Sequence, residues 1–378
     1  MKTKKNSQKI PFFKPWITNE DKKSVLDALN STYLTSGPKL EKFENAFAKM
    51  TGSKYAIGVS NATSALELSL KAMEIGPKDE VIIPDMTFVA TASAIINNRA
   101  TPILADISDD LTISVESIKE KITKNTKAIL PVHFAGTSCN MKEIVKIAKE
   151  NKLKIIEDCA HAIGTKYNKK HVGLFGSAGC FSFYPTKNIT SIEGGMVITN
   201  SKKIAEDIRS SRNHGLTKTL QHRYSKGNPW EYDVIKAGHN FRLDEIRSSL
   251  GNSQLKRISK LNSLRRNASR YYNSKLKKIK GIKIPKISDD DSCHLYIIRI
   301  QKEFGSSRNS VYKKLLKKGI QTTVHYKPLH LFSLFKNNIN SNKKFPNSDL
   351  IYEEILSLPL YPQITKEEQN RVINCIID

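Results

Sequence analysis

The sequence predicts an α/β protein: a large, mostly parallel sheet flanked by helices, followed by a smaller C-terminal α+β unit. From residue 54 onward, short β-branched runs alternate with longer amphipathic ones, the mark of crossover units on a parallel sheet. At 378 residues the chain exceeds what one compact core usually holds, which points to two domains. A composition of 39% hydrophobic and 26% charged residues, with 18 Gly and 14 Pro, excludes collagen-like, low-complexity and wholly disordered chains.

The elements follow in order. Residues 55–59 (YAIGV) read as a strand that runs into a helical pattern ending near residue 72. A strand at 81–83 precedes a helix over 88–96, and a strand at 102–106 precedes a helix over 115–122. Residues 128–133 then read as a strand, 141–150 as a helix and 153–157 (LKIIE) as a strand. After Glu157 the rhythm changes. The runs 179–184 (GCFSFY) and 195–199 (GMVIT) are separated by a loop with no room for a crossover helix, so an antiparallel or hairpin-like element is expected there. A Lys/Arg-rich helical stretch over 243–278 leads to a strand at 295–300, a helix near 310–318 and a last helix from Lys366. The boundary is placed near Gly251, giving domains 1–250 and 251–378. There are no internal repeats, and 337–344 (NNINSNKK) reads as a polar, exposed loop.

Charge narrows the function only partly. Lys and Arg number 62 against 36 Asp and Glu, a formal net charge of +26. Such an excess concentrates anions and suggests a nucleic acid, an acidic membrane surface or a phosphorylated small substrate. The basic residues are spread along the chain and are mostly Lys, and no segment reads as a basic helix interleaved with base-stacking aromatics, which argues against nucleic acid. No run approaches a membrane-spanning length, no secretory h-region follows Met1, and the five Cys show no C-x-x-C spacing. A cytoplasmic protein with free thiols is expected.

In an open α/β sheet a ligand sits beyond the carboxyl ends of the strands. SNATSA at 60–65 opens a helix there, and its hydroxyls and amides serve equally as a helix cap or as a phosphate site. Gly173, Gly176 and Gly179 lack the dinucleotide spacing and read as turns. Asp158 ends the LKIIE strand; a carboxylate buried there needs a cation or several donors, so it is a helix cap, a structural ion pair or the partner of a protonated pyridoxal-phosphate ring. Most lysines of so basic a chain are solvated, but Lys187 follows an aromatic strand in a largely apolar segment with Ser182, Gly194 and Gly195 nearby. That setting lowers an amine's pKa and favours Schiff-base chemistry.

EDCAHAIG at 157–164, FSFYPTKNIT followed by EGG within 181–195, LTSGPKLEKFE at 34–44 and PLYPQITKEEQNRVI at 359–373 resemble the DegT/StrS-type nucleotide-sugar aminotransferases. These are pyridoxal-phosphate enzymes of fold type I, and the likeness runs from residue 10 to 377. The resemblance implies that Lys187 binds the cofactor covalently and carries the proton to the sugar carbon. It implies that Asp158 pairs with the ring nitrogen, that Phe88 in PDMTFVATA stacks on the ring, and that His161 lies beside the phenolic oxygen. Thr63, Ser64 and Ser182 match the cradle for the cofactor's phosphate, and Asn240 in GHNFRLDEI the residue that reaches that phosphate from a second subunit of a homodimer. Arg242 and HYKPLH (His325, Tyr326, His330) fall where the family contacts the nucleotide sugar; His325 and His330 lack a third ligand for a metal.

One departure is Ala62, where the family has Gly, which could restrict the backbone. The family's dehydratases carry His in place of the lysine, so Lys187 argues for transamination with an amino-acid donor, glutamate by analogy. EGG at 193–195, rather than DGG, leans within the family towards a C4 keto group. The alternatives are a pyridoxal-phosphate-dependent sugar dehydratase and a non-enzymatic basic binding protein.

Overall fold

The computed structural model describes residues 9–217, 228, 230–336 and 344–378. Its main sheet contains seven strands: β1 (Tyr55–Val59), β2 (Glu80–Pro84), β3 (Thr101–Ala105), β4 (Thr126–Ile129), β5 (Lys154–Asp158), β8 (Ala178–Ser182) and β9 (Gly195–Thr199). The order across the sheet is β1-β9-β8-β5-β4-β2-β3. Strands β2 through β8 in this sheet pair in parallel. Only β9 is reversed, lying antiparallel between β1 and β8. That reversal follows from the helix-free loop the sequence shows after residue 184. A small hairpin, β6 (Lys166–Tyr167) and β7 (Lys170–His171), lies apart.

Helices cover both faces, so the strands are buried on both sides and read as continuous apolar runs. Side chains still alternate with a period of two. Cys180 and Val197 join a cluster with Leu66 and Leu70 of α3 (Ala62–Ala72) and Ile208 of α7 (Lys202–Ser211). Phe181, Met196 and Ile198 face Phe43 and Phe47 of α2 (Pro38–Thr51) on the other side. Helix α1 (Asn19–Leu29) is held by the buried Asp21, which accepts from Ser253, Gln254 and Arg257. Helices α4 (Ala90–Asn97), α5 (Val115–Lys121) and α6 (Met141–Glu150) complete the crossovers.

Two expectations change in detail. The strand expected over 128–133 ends its ladder at Ile129, because Pro131 has no N–H to donate; the chain touches β5 again at Val132. The helical stretch over 243–278 is two helices, α8 (Glu245–Leu255) and α9 (Ile258–Leu276). At the break Arg257 turns to Asp21 at 2.6 Å and to the Trp16 carbonyl at 3.3 Å.

Packing changes partners along α9. Ile258 and Leu261 belong with Phe43 and Phe183, whereas Ala268, Tyr272 and Leu276 pack on a three-stranded antiparallel sheet. That sheet joins β10 (Ile282–Lys283), β11 (Tyr296–Ile300) and β12 (Ile355–Leu358). It is covered by α10 (Arg308–Lys317) and α11 (Lys366–Ile377). Ile10 belongs to this C-terminal core as well, bridging to Ile320. Of the polar loop expected at 337–344, residues 337–343 lie outside the described residues. No helix among the described residues is long and apolar enough to cross a membrane, and all five cysteines are buried free thiols.

Candidate active site

The reversed strand brings three segments to one edge. Val59 pairs with Gly195, and Gly195 with Ser182, so the end of β1, the start of β9 and the end of β8 coincide. A Cβ on Gly195 would lie 2.4 Å from the Asn61 carbonyl oxygen, so the backbone of β9 presses against the start of α3. There Asn61 caps the helix by accepting from the Ser64 amide at 2.9 Å. Ser64 turns its hydroxyl inward to Asn61 and Ser60, while Thr63 is half-buried at the helix mouth. Ala62 takes a helical conformation as the first residue of α3, so the glycine usual in the family is not needed. The Ala62 and Thr63 amides belong to the first turn, whose N–H groups no helix carbonyl satisfies, and they point with the dipole at this edge. Ser182 is buried and accepts from the Tyr184 amide at 3.4 Å.

Asp158 closes β5 at the same edge and is 6% exposed. Its Oδ2 accepts from the Thr91 hydroxyl at 2.9 Å and its Oδ1 from the Ala160 amide at 3.0 Å. Burial raises its pKa; those two donors and the charge of Lys187 pull the other way. Lys187 sits in the turn after β8, its amide bonded to the Tyr184 carbonyl at 2.9 Å. Burial lowers its pKa to about 8 against the opposing pull of Asp158. Relative to an ordinary lysine this increases the free-amine fraction at neutral pH by roughly two orders of magnitude. Phe88, at the entry to α4, is 56% exposed, its ring 5.8 Å from the Tyr326 ring.

His161 is buried and its partners determine its tautomer. Nδ1 accepts from the Ala135 amide at 3.3 Å, so the proton sits on Nε2, which donates to the Tyr326 hydroxyl oxygen at 3.2 Å. Burial and the charge of Lys187 keep the ring neutral, its pKa well below the usual value. Both ring nitrogens are thus engaged within the chain, and the Tyr326 hydroxyl is left to donate its own proton outward. Tyr326, His325, His294 and Lys187 line one cavity with Phe12 and Phe13. The His325–Tyr326 peptide is cis.

Arg242 and Asn240 lie on the segment beside β1, where the Phe241 carbonyl accepts from the Ser60 amide at 2.9 Å. Arg242 donates to Asn213 at 2.8 Å, and Asn240 is exposed. His330, expected with the sugar contacts, instead joins two carboxylates: Nδ1 to Asp85 at 2.7 Å and Nε2 to Asp349 at 3.1 Å. Burial opposes its protonation, but those carboxylates outweigh it and raise its pKa. Sequence reasoning missed Thr91, His294 and the N-terminal segment of Phe12 and Phe13. Thr87 lies before α4 and Thr91 inside it, so no helical spacing marks the pair, and their hydroxyls meet only in the fold.

A sheet with one reversed strand, a lysine of lowered pKa after β8, a buried aspartate ending β5 and a helix N-terminus opposite define a fold type I pyridoxal-phosphate-dependent aminotransferase. The donor set fits the cofactor: a carboxylate for a protonated ring nitrogen, an amine for its aldehyde and amides for its phosphate. More narrowly, the model of the DegT/DnrJ/EryC1/StrS aminotransferase family matches residues 15–377, and the chain belongs to that family. It is 36% identical over 381 residues to the spore coat polysaccharide biosynthesis protein SpsC of Bacillus subtilis, covering 99% of this chain and 98% of that protein. Among solved structures it resembles PseC of Helicobacter pylori, an aminotransferase involved in the biosynthesis of pseudoaminic acid, with a TM-score of 0.91 and 33% identity over 98% of each chain. It also resembles the pyridoxal-phosphate form of the putative sugar aminotransferase Spr1654 of Streptococcus pneumoniae, with a TM-score of 0.90 and 30% identity over 98% of each chain.

Proposed function

We propose that this protein moves an amino group from glutamate to the C4 keto carbon of a nucleoside-diphosphate keto-deoxysugar, in the cytoplasm. The observation that carries the reading is the pairing, at one sheet edge, of a carboxylate short of partners with an amine lowered to about 8. The polysaccharide role of SpsC and the sugar pathway of PseC support the acceptor class, and Glu193 before the two glycines supports C4.

Asp158 would hold the ring nitrogen, Phe88 would cover a ring face, and Thr63 and Ser182 with the start of α3 would hold the phosphate, while Ser64, whose amide and hydroxyl both go to Asn61, would reach it only by releasing that cap. Bound, the cofactor supplies an aldehyde carbon that takes up an amine and a ring that stores the electron pair released when a C–H bond breaks. Lys187 Nζ, as a free amine, would move a proton from the donor's α-carbon to the former aldehyde carbon in the first half of the exchange, and from that carbon to the sugar carbon in the second. The Tyr326 hydroxyl, held by neutral His161, donates a hydrogen bond to a substrate oxygen, and His325 and Arg242 border the acceptor. The exposed Asn240 would reach the phosphate of a second subunit. A homodimer is further supported by exposed apolar side chains, among them Trp230 (72%) and Ile235 (64%), which a partner would cover.

The test follows the visible absorption band of protein given pyridoxal phosphate. Glutamate is expected to bleach it, and one of a panel of UDP-, dTDP-, GDP- and CMP-linked keto sugars to restore it. Lys187→Ala is expected to lose turnover by roughly a thousandfold or more. A Lys187→Ala protein that still turns over, or a wild type with no such band, overturns the reading.

A further inference from the structure

Thr91 occupies a place no part of the reading above requires. It lies in α4, where Val89 is the N-cap and no side chain caps the helix, so its hydroxyl does no capping. Threonine within a helix commonly back-bonds to the carbonyl one turn earlier. Here Oγ1 instead reaches across to Asp158 Oδ2 at 2.9 Å, and the Thr87 hydroxyl lies 2.9 Å from it. All three side chains are buried.

An ionised carboxylate accepts only, so the Thr91 proton points at Asp158. The Thr91 oxygen is then free to accept, and the Thr87 proton points at Thr91. Two hydroxyls line up in one direction, each polarising the next towards the carboxylate. With the Ala160 amide on Oδ1 at 3.0 Å, each oxygen has one donor and keeps a lone pair.

We propose that Thr91 is a positioning residue for the cofactor: oriented by Thr87, it keeps the Asp158 carboxylate ionised and turned so that a lone pair meets the protonated ring nitrogen of pyridoxal phosphate. The inference rests on Asp158 being the ring's partner. The other charged group that acts on Asp158 is Lys187, which favours its charge; the Tyr326 hydroxyl and the Cys159 and Cys180 thiols nearby are neutral, their pKa values pushed up chiefly by burial. Thr91 is therefore among the few groups that can be removed from the carboxylate without removing a charge.

The experiment titrates the apo full-length protein with pyridoxal phosphate, reading Kd by visible absorption between about pH 5 and pH 8, for wild type, Thr91→Val, Thr91→Ser and Thr87→Val. Affinity needs the ionised carboxylate, so it is lost as pH falls through the Asp158 pKa; taking away a donor raises that pKa. Thr91→Val is expected to weaken binding roughly tenfold or more and to move the acid limb to higher pH. Thr91→Ser should restore both, and Thr87→Val should produce a smaller shift in the same direction. A Thr91→Val acid limb that stays in place overturns the proposal even if Kd weakens, as does a serine variant that behaves like valine. If Thr91→Val does not fold, the same limb in Thr87→Val decides: a shift supports the relay, and no shift overturns it. A wild type that binds no pyridoxal phosphate instead removes the reading of the site itself.

Discussion

Glu157 and Asp158 are neighbours on one strand, both buried, and are treated oppositely. Strand alternation sends them to opposite faces. Glu157 accepts from the amides of Gly173, Phe175 and Gly176 at 2.6 to 2.7 Å and from His133 Nε2 at 3.0 Å. The His133 tautomer is settled because its Nδ1 accepts from the Cys139 amide at 3.1 Å. Glu157, His133 and Cys159 lie close enough to suggest a metal set, yet both ring nitrogens and both carboxylate oxygens are already engaged. Among the described residues, the Asp158 carboxylate accepts only from Thr91 and Ala160. A saturated buried carboxylate ties the loop 173–176 to the sheet; an under-served one, with a raised pKa, is stabilised when a cation arrives.

The largest effects should separate the pair. Asp158→Asn is expected to lower turnover by roughly a thousandfold while leaving the apo protein's melting temperature unchanged or higher, because burial already penalises that charge. Glu157→Gln puts an NH2 against amides that need an acceptor and should cost about 3 kcal/mol or more, read by urea unfolding. A stable Glu157→Gln or a strongly destabilised Asp158→Asn would erase the contrast.

A smaller effect appears at Lys187. In the apo protein an amine-directed reagent should label it with an apparent pKa near 8. Asp158 raises that value, so Asp158→Asn should lower it further, whereas Glu157→Gln should leave it alone. The amine's folded pKa lies below its unfolded one, so its cost to stability is present below about pH 8 and is relieved as pH rises towards about 10.5.

The smallest effect concerns a third buried carboxylate, Asp85, served by a titratable partner rather than by strand-edge amides. It accepts from the His330 amide and from Nδ1. The raised His330 pKa means stability present below the unfolded value of about 6.5 and lost as pH rises through the higher folded value. With the histidine partly exposed, this amounts to about 1 kcal/mol or less. His330→Asn should flatten that slope of melting temperature against pH.

Much of the candidate site was legible because the residues proposed to anchor it sit at strand ends that hydrophobic patterning locates. Asp158 follows LKIIE, Lys187 follows an aromatic strand, and SNATSA opens a helix. What patterning misses is which ends meet. Thr91 and Asp158 are 67 positions apart; they touch because β4, rather than β3, lies between β2 and β5. Phe12 and Phe13 reach Lys187 because Ile10 pairs with Ile320 at the far end of the chain, a bridge too short to leave a periodic signal. The fate of His330 was equally hidden, since its partner Asp85 ends a strand 245 positions away.

The sequence by itself determined the alternation of strands and helices, the reversed β9, the family and the strand-end positions of Asp158 and Lys187, since each is encoded in local spacing and composition. Tertiary structure alone decided strand order, the tautomer of His161, the saturation of Glu157 and the partial service of Asp158. Those depend on donors brought together from distant segments, and a buried carboxylate's behaviour is set by how many donors reach it.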